Sequence, residues 1–191
     1  KVKENDYVIL LGDFSWATYL EEAYDDFKYL DELPGKKILL KGNHDYWWTT
    51  ITNMKNYLKE NKFNTIDFLH NNSYFIEDKI IVGTRGWNLL ETENSEKMIN
   101  RENNRLKLSI EDGIQKFGKE KEIVVFMHYP PITINNANSE FVKTMKQYEI
   151  KRCYYAHLHG NSHKDAIEGI KNGIYFKLIS ADYLKFDLFE I

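Results

Sequence analysis

A single cysteine, Cys153, in 191 residues excludes an internal disulfide framework and suits a reducing compartment, so a cytoplasmic location is expected. Three prolines and ten glycines exclude collagen-like and linker compositions. No apolar run approaches the ~18 residues that a transmembrane helix needs, so no membrane is expected as a partner. Charge of one sign is lacking too: 26 basic and 29 acidic residues leave a net −3. That balance makes no bulk electrostatic case for nucleic acid, and no Lys/Arg cluster stands beside the motifs described below. Repeats, low-complexity tracts and linkers are absent, and one domain over residues 1–191 is the simplest division. Aromatic residues, by contrast, are plentiful: 11 Phe, 13 Tyr and 4 Trp can fill a large core and exclude disorder. The chain opens Lys1-Val2-Lys3 without an initiator Met, so its start is evidence neither for nor against a targeting signal.

Tyr7–Leu11 is a short continuous apolar run, the pattern of a strand buried on both faces. Leu20, Ala23, Tyr24, Phe27 and Leu30 recur at helical spacing until Pro34-Gly35. Lys37–Lys41 reads as a second buried strand and Thr50–Glu60 as a helix with Ile51, Met54, Tyr57 and Leu58 inside. Short strands are expected at Ile66–Leu69, Tyr74–Glu77 and Ile80–Gly83, joined at Asn71-Asn72-Ser73 and Asp78-Lys79. A long polar helix follows over Ser95–Phe117, then a strand at Glu122–Met127, a helix at Glu140–Tyr148 and a strand at Tyr154–Ala156. Ile174–Ser180 and Tyr183–Phe189 read as a closing antiparallel pair. Strands alternate with helices at both ends around a run of hairpins, which points to a mixed α/β domain with more than one sheet.

Four of these strands end on residues that bear chemistry. Asp13 follows Tyr7–Leu11 across Gly12, and Gly42-Asn43-His44-Asp45 follows Lys37–Lys41. His128 ends Glu122–Met127, and His157-Leu158-His159 follows Tyr154–Ala156. In open α/β sheets the carboxyl rim is where ligands bind. Carboxylate, amide and imidazole together suit a divalent transition metal better than calcium. Two histidines at i and i+2 on an extended segment face the same way and share a metal; in a loop they serve two adjacent metals. Singly, each residue has a bland reading as a cap, a turn or a core histidine, but four strand ends at once do not. Arg85 lies in a Gly-flanked loop, where it either forks onto a substrate phosphate or makes a surface ion pair. Trp47 and Trp48 read as packing for the preceding turn before they read as a stacking platform. His70 and Cys153 read as structural, and His163 as a solvated loop histidine.

Gly12-Asp13, Gly42-Asn43-His44-Asp45, His128 and His157-Leu158-His159, in that order, resemble the calcineurin-like metallophosphoesterases. The resemblance extends to Gly83-Thr84-Arg85-Gly86-Trp87-Asn88 and Ser180-Ala181-Asp182-Tyr183, and is nearest to a bacterial branch of predicted phosphohydrolases. It implies an α/β fold in four layers, an αββα sandwich of two mixed β-sheets flanked by helices. It implies a phosphatase or phosphodiesterase with two divalent metal ions (Mn, Fe or Zn) and a metal-activated hydroxide. Asp13 would bridge the metals; Asn43, His128 and His157 would complete one site, and His159 would belong to the other. His44 would stabilise or protonate at the phosphate, Asp45 would hold its imidazole, and Arg85 would bind substrate. Two cations about 3.5–4 Å apart activate water and clamp the attacking and leaving oxygens of an in-line displacement.

The family pattern opens with Asp-x-His on a first strand, and the twelve residues before Asp13 contain no His. Only one metal site therefore has its full ligand set, and an amino-terminal strand carrying Asp-x-His is expected ahead of Lys1. Without it Tyr7–Leu11 would present an apolar edge. Ala156 stands where the family usually has Gly, which matters only if that position needs a positive φ. The expected substrate is a small phosphoester, monoester or diester, rather than nucleic acid. The alternative is a catalytically degenerate scaffold that acts as a protein-interaction module.

Overall fold

The computed structural model describes residues 2–89 and 95–191; Lys1, where the sequence opens, lies outside them. Its strands are β1 (Tyr7–Leu10), β2 (Lys36–Leu39), β3 (Ile66–Phe68), β4 (Tyr74–Ile76) and β5 (Lys79–Thr84), then β6 (Glu122–Met127), β7 (Arg152–Tyr155), β8 (Gly169–Lys171) and β9 (Ile174–Leu178). The α-helices are α1 (Tyr24–Glu32), α2 (Ile51–Glu60), α3 (Ser95–Phe117) and α4 (Glu140–Gln147). β1, β2 and β3 form one sheet in that order, parallel throughout, so this sheet is not mixed. The other sheet runs β4-β5-β6-β7-β9-β8, with β5, β6, β7 and β9 parallel and antiparallel strands at both edges.

Alternation along the strands divides the buried side chains into three cores. Ile38 and Leu40 meet Ile81, Val124, Phe126 and Tyr154 between the two sheets. On the other face of the small sheet, Leu39 and Phe68 pack with Phe27 of α1, Met54 of α2 and Trp47. On the outer face of the large sheet, Ile80, Val82, Val125 and Tyr155 pack with Leu106 and Ile110 of α3 and Phe141 of α4. Three cores require four layers, helix–sheet–sheet–helix. Thr50 and Ser139 cap α2 and α4, accepting from the N–H groups of Asn53 and Val142. Lys37 faces the helix side with its ammonium donating to the carbonyls of Leu33 at 2.6 Å and Gly35 at 2.8 Å, so its charge is satisfied inside an apolar run.

Two further expectations change. β1 lies at the edge of the small sheet and is half-buried rather than buried on both faces. β9 pairs with β8 and not with residues 183–189, where there is no strand. The reason is Asn172-Gly173, whose positive φ values of 54° and 78° make the tight turn that folds β9 back on the residues before it. Among the described residues no helix is long and apolar enough to cross a membrane.

Phe126 is 2% exposed between the sheets and stacks on Tyr154 with ring centroids 5.4 Å apart. Phe126→Ala is expected to cost about 3–5 kcal/mol of stability through the cavity it leaves. A urea midpoint unchanged from wild type would show that the two sheets do not depend on this contact.

Candidate metal centre

The loops after β1 and β2 are folded against each other around one carboxylate. Asp45, 1% exposed, accepts from five N–H groups: Asp13 (2.8 Å), Phe14 (2.9 Å), Ser15 (3.5 Å), Gly42 (2.6 Å) and the Trp47 indole (3.1 Å). Close approach of the loops needs two glycines. A Cβ on Gly12 would collide with the backbone of Gly42, and a Cβ on Gly42 with the Asp13 carboxylate. Gly12 also has a φ of 93°, where a side chain is strained. Asp13 itself is left-handed (φ 57°), and its Oδ1 accepts from the His44 N–H at 2.8 Å. Asp45 thus ties the loops together; the His44 imidazole, which it was expected to hold, is not among its hydrogen-bond partners. Its acceptors are taken up by backbone amides and an indole instead.

Opposite this pair of loops stand the histidines after β6 and β7. His128 is 1% exposed, and its Nδ1–H donates to the Leu11 carbonyl at 2.7 Å, which leaves Nε2 with a lone pair in the neutral ring. That Nε2 lies 2.7 Å from Asn43 Oδ1, 3.1 Å from His157 Nδ1 and 3.5 Å from Asp13 Oδ2. His157 Nδ1 is in turn 2.9 Å from Asn43 Oδ1. Asp13, His128 and His157 each place a ligand atom within 4.8 Å of the others, with Asn43 beside them. Burial lowers the pKa of His128, with Asp13 and the Leu11 carbonyl opposing. Burial and the adjacent His128 push His157 down to about 4. Four lone-pair atoms therefore face one another with at most one proton, on His157, between them. A divalent cation relieves that repulsion, and carboxylate, amide and imidazole are donors suited to it.

The backbone at His157 explains why its neighbour goes elsewhere. His157 has a φ of 69°, and the Leu158 N–H bonds back to the Ala156 carbonyl at 2.8 Å. This is the strained γ-turn form, found where a site over-determines the backbone. The positive φ falls on His157 and not on Ala156, so Ala156 is unstrained. Because the segment turns rather than runs extended, His159 does not share a face with His157. Its Nδ1 pairs with Asp182 Oδ1 at 2.8 Å, and His163 approaches Asp182 Oδ2 at 3.1 Å. Burial raises the Asp182 carboxyl, but the Gly160 N–H and the two imidazoles outweigh it and hold the group well below the usual range. His163 is thereby a partner of Asp182 and not a solvated loop residue.

His44 stands at the mouth of the group, flanked by Trp16 at 5.1 Å and Tyr46 at 6.1 Å between ring centroids, both largely exposed. Trp47 and Trp48 are buried in the core under the loop and offer no platform. Cys153 is fully buried, and burial pushes its thiol pKa up. Arg85 is mostly buried and pairs with Glu102 at 3.3 Å, so the surface ion pair is excluded. Glu102, fully buried on α3, had no sequence signal: it lay in a helix read only as long and polar. Lys41 and Arg105 join Arg85 around it, a basic cluster that the sequence scatters over 65 residues.

Two outcomes follow. Asp45→Asn sets an amide N–H against backbone N–H groups, and Gly42→Ala drives the loops apart. Each is expected to weaken metal binding by about 10–100-fold, the usual cost of losing the support of a metal ligand; metal titrations matching wild type would refute the role given to Asp45. His157, lowered to about 4, binds protons less readily in the folded chain than unfolded, where its pKa is about 6.5. The metal-free protein is therefore expected to lose stability as pH falls from about 6.5 to about 4, with His157→Gln flattening that part of the profile. Urea midpoints measured across this range check it.

No curated protein matches the chain. The family model for calcineurin-like phosphoesterases matches residues 1–161. That match covers both loops, His128, the His157 turn and strands β1 to β7 that bring them together, and the chain belongs to the calcineurin-like phosphoesterase family.

Proposed function

We propose that the chain hydrolyses small phosphoesters at a dinuclear metal centre on this rim, with Mn, Fe or Zn as the metal. Family membership supports metal-dependent phosphoester hydrolysis in general. The observation that carries the reading to particular residues is the convergence of Asp13, Asn43, His128 and His157. These four would hold one cation. The second position is the finer part of the proposal, with Asp13 as the shared carboxylate and His159 as a further ligand. Bound divalent cations supply Lewis acidity, activating water and neutralising phosphoryl charge.

The remaining chemistry belongs to the chain. Asn43 contributes a neutral oxygen, so the centre keeps positive charge for an anionic substrate. Leu11, through the Nδ1–H of His128, fixes the tautomer that turns Nε2 inward. His44 makes no contact with the four converging atoms through its ring, and its backbone N–H holds Asp13. Its imidazole is free to act on the phosphoryl group, protonating the leaving oxygen. Exposed Trp16 and Tyr46 at its sides confine the ring to the mouth of the cleft.

The test is metal content by mass spectrometry together with hydrolysis of p-nitrophenyl phosphate and bis-p-nitrophenyl phosphate. His44→Ala is expected to keep its metal and lose about 10²–10⁴-fold in kcat. Asp13→Ala is expected to lose metal and activity together. A chain that takes up no metal and cleaves neither ester would refute the enzyme and favour the protein-binding scaffold.

A further inference from the structure

We infer that the exposed rings of Trp16 and Tyr46, which border His44, receive a planar aromatic ring carried by the leaving alcohol of the substrate. The preferred substrates are then phosphoesters of ring-bearing alcohols, such as nucleoside 5′-phosphates. The inference rests on the proposed hydrolase for which bond is cut, but not for what the rings bind.

Placement is the first argument. Trp16 stands three residues after Asp13, and Tyr46 three after Asn43. Each loop that supplies a proposed metal ligand therefore also supplies one of the rings. Both rings meet the His44 imidazole, with centroids 5.1 Å from it for Trp16 and 6.1 Å for Tyr46. The His44 N–H donates to Asp13 Oδ1 at 2.8 Å, which keeps this residue beside the converging ligand atoms. An imidazole that protonates the leaving oxygen has the leaving alcohol next to it. The surfaces that border that imidazole are an indole and a phenol.

Exposure is the second. Trp16 is 79% exposed and Tyr46 64%. Single exposed apolar side chains are ordinary on a protein surface, but two against one imidazole at a ligand rim are not. The backbone that carries them is anchored. Ser15 is buried, its hydroxyl donates to the Asp26 carboxylate, and its Oγ accepts from the Ala17 N–H at 3.2 Å. Beyond Trp16, the N–H groups of Thr18 and Tyr19 donate to Glu22 at 3.0 and 3.1 Å. Tyr46 stands between buried Asp45 and buried Trp47, and its N–H donates to the His44 carbonyl at 2.8 Å. The neighbours of both rings are fixed in the fold while the rings themselves face solvent. Rigid aromatic side chains on a preorganised backbone lose little entropy when a ligand covers them.

Chemistry is the third. A planar ring has a π-face to lay on an indole or a phenol, and such stacking tolerates many ring types. A plain sugar or glycerol leaving group offers hydroxyls and no such face. Trp47 and Trp48 lie in the core, so at this rim the stacking surface is left to Trp16 and Tyr46.

The test uses two matched pairs of esters on the metal-loaded chain: adenosine 5′-monophosphate with ribose 5-phosphate, and benzyl phosphate with ethyl phosphate. Within each pair the oxygen that leaves is a primary alkoxide, and the difference is the ring. Wild type is expected to favour the ring-bearing ester in kcat/KM. Trp16→Ala should lower that preference about tenfold, and Trp16→Phe should restore most of it. Any effect on His44 that both esters share cancels in the ratio, so a merely structural role for Trp16 would not move it. A preference that depends on Trp16 in either pair sustains the assignment, the first as a nucleobase site and the second as an aryl site. Adenosine titrated in EDTA reads the rings without turnover, and should quench the tryptophan fluorescence of wild type but not of Trp16→Ala. Thermal unfolding confirms that each variant is folded. If no ester is cleaved while adenosine still quenches through Trp16, the hydrolase reading falls and the ring site stands. If the esters are cleaved with ratios indifferent to Trp16, the ring site falls and the hydrolase stands. No cleavage and no quenching overturns both.

Discussion

The Asp45 carboxylate is the point on which the rim depends. Backbone amides on two different loops, those of Asp13 to Ser15 and of Gly42, aim at its two oxygens from inside the protein. A buried carboxylate is costly unless its acceptors are filled, and here N–H groups fill them. The same bonds fix where Asp13 and Asn43 stand relative to each other. Gly12 and Gly42 are required because the loops approach more closely than any Cβ allows. With that junction in place, Asp13 can present one oxygen to the His44 N–H and the other to the histidines across the crevice.

The two sheets contribute the other half. Residues after β1 and β2 of one sheet meet residues after β6 and β7 of the other, so the group exists only while the inner core of Ile38, Leu40, Val124, Phe126 and Tyr154 holds the sheets together. His128 spans the gap, bonding Leu11 on one side and facing Asn43 on the other. The strain at His157 and Asp13, both at positive φ, is tolerated because packing around them over-determines the backbone.

Much of this was legible from particular residues. Glu122–Met127 and Ser95–Phe117 match their elements end to end, because long apolar runs and helical spacing are strong local signals. The motif residues of the metal group could be named because each follows a strand. The last hairpin was misplaced because apolar content was weighed above Asn172-Gly173, a turn signal only two residues long. Spacing alone left open whether His157 and His159 share a face; the γ-turn at His157 breaks the extended periodicity and separates the two.

By itself the sequence determined the element order up to β7, the alternation of strands with helices, and the residue types delivered to the rim. Those properties are local: burial patterns, turn residues and donor chemistry are carried by neighbours along the chain. Only the tertiary structure decided partners. It gave Asp45 to backbone amides rather than to His44, paired His159 with Asp182, and brought Arg85 from the end of β5 to Glu102 on α3. It also gathered Lys41, Arg85 and Arg105 into one pocket in a chain whose composition is nearly balanced in charge. The physical reason is that hydrogen bonds and Coulomb forces act through space. That Arg85 meets Glu102 depends on how α3 packs on the large sheet, and no spacing along the chain records it.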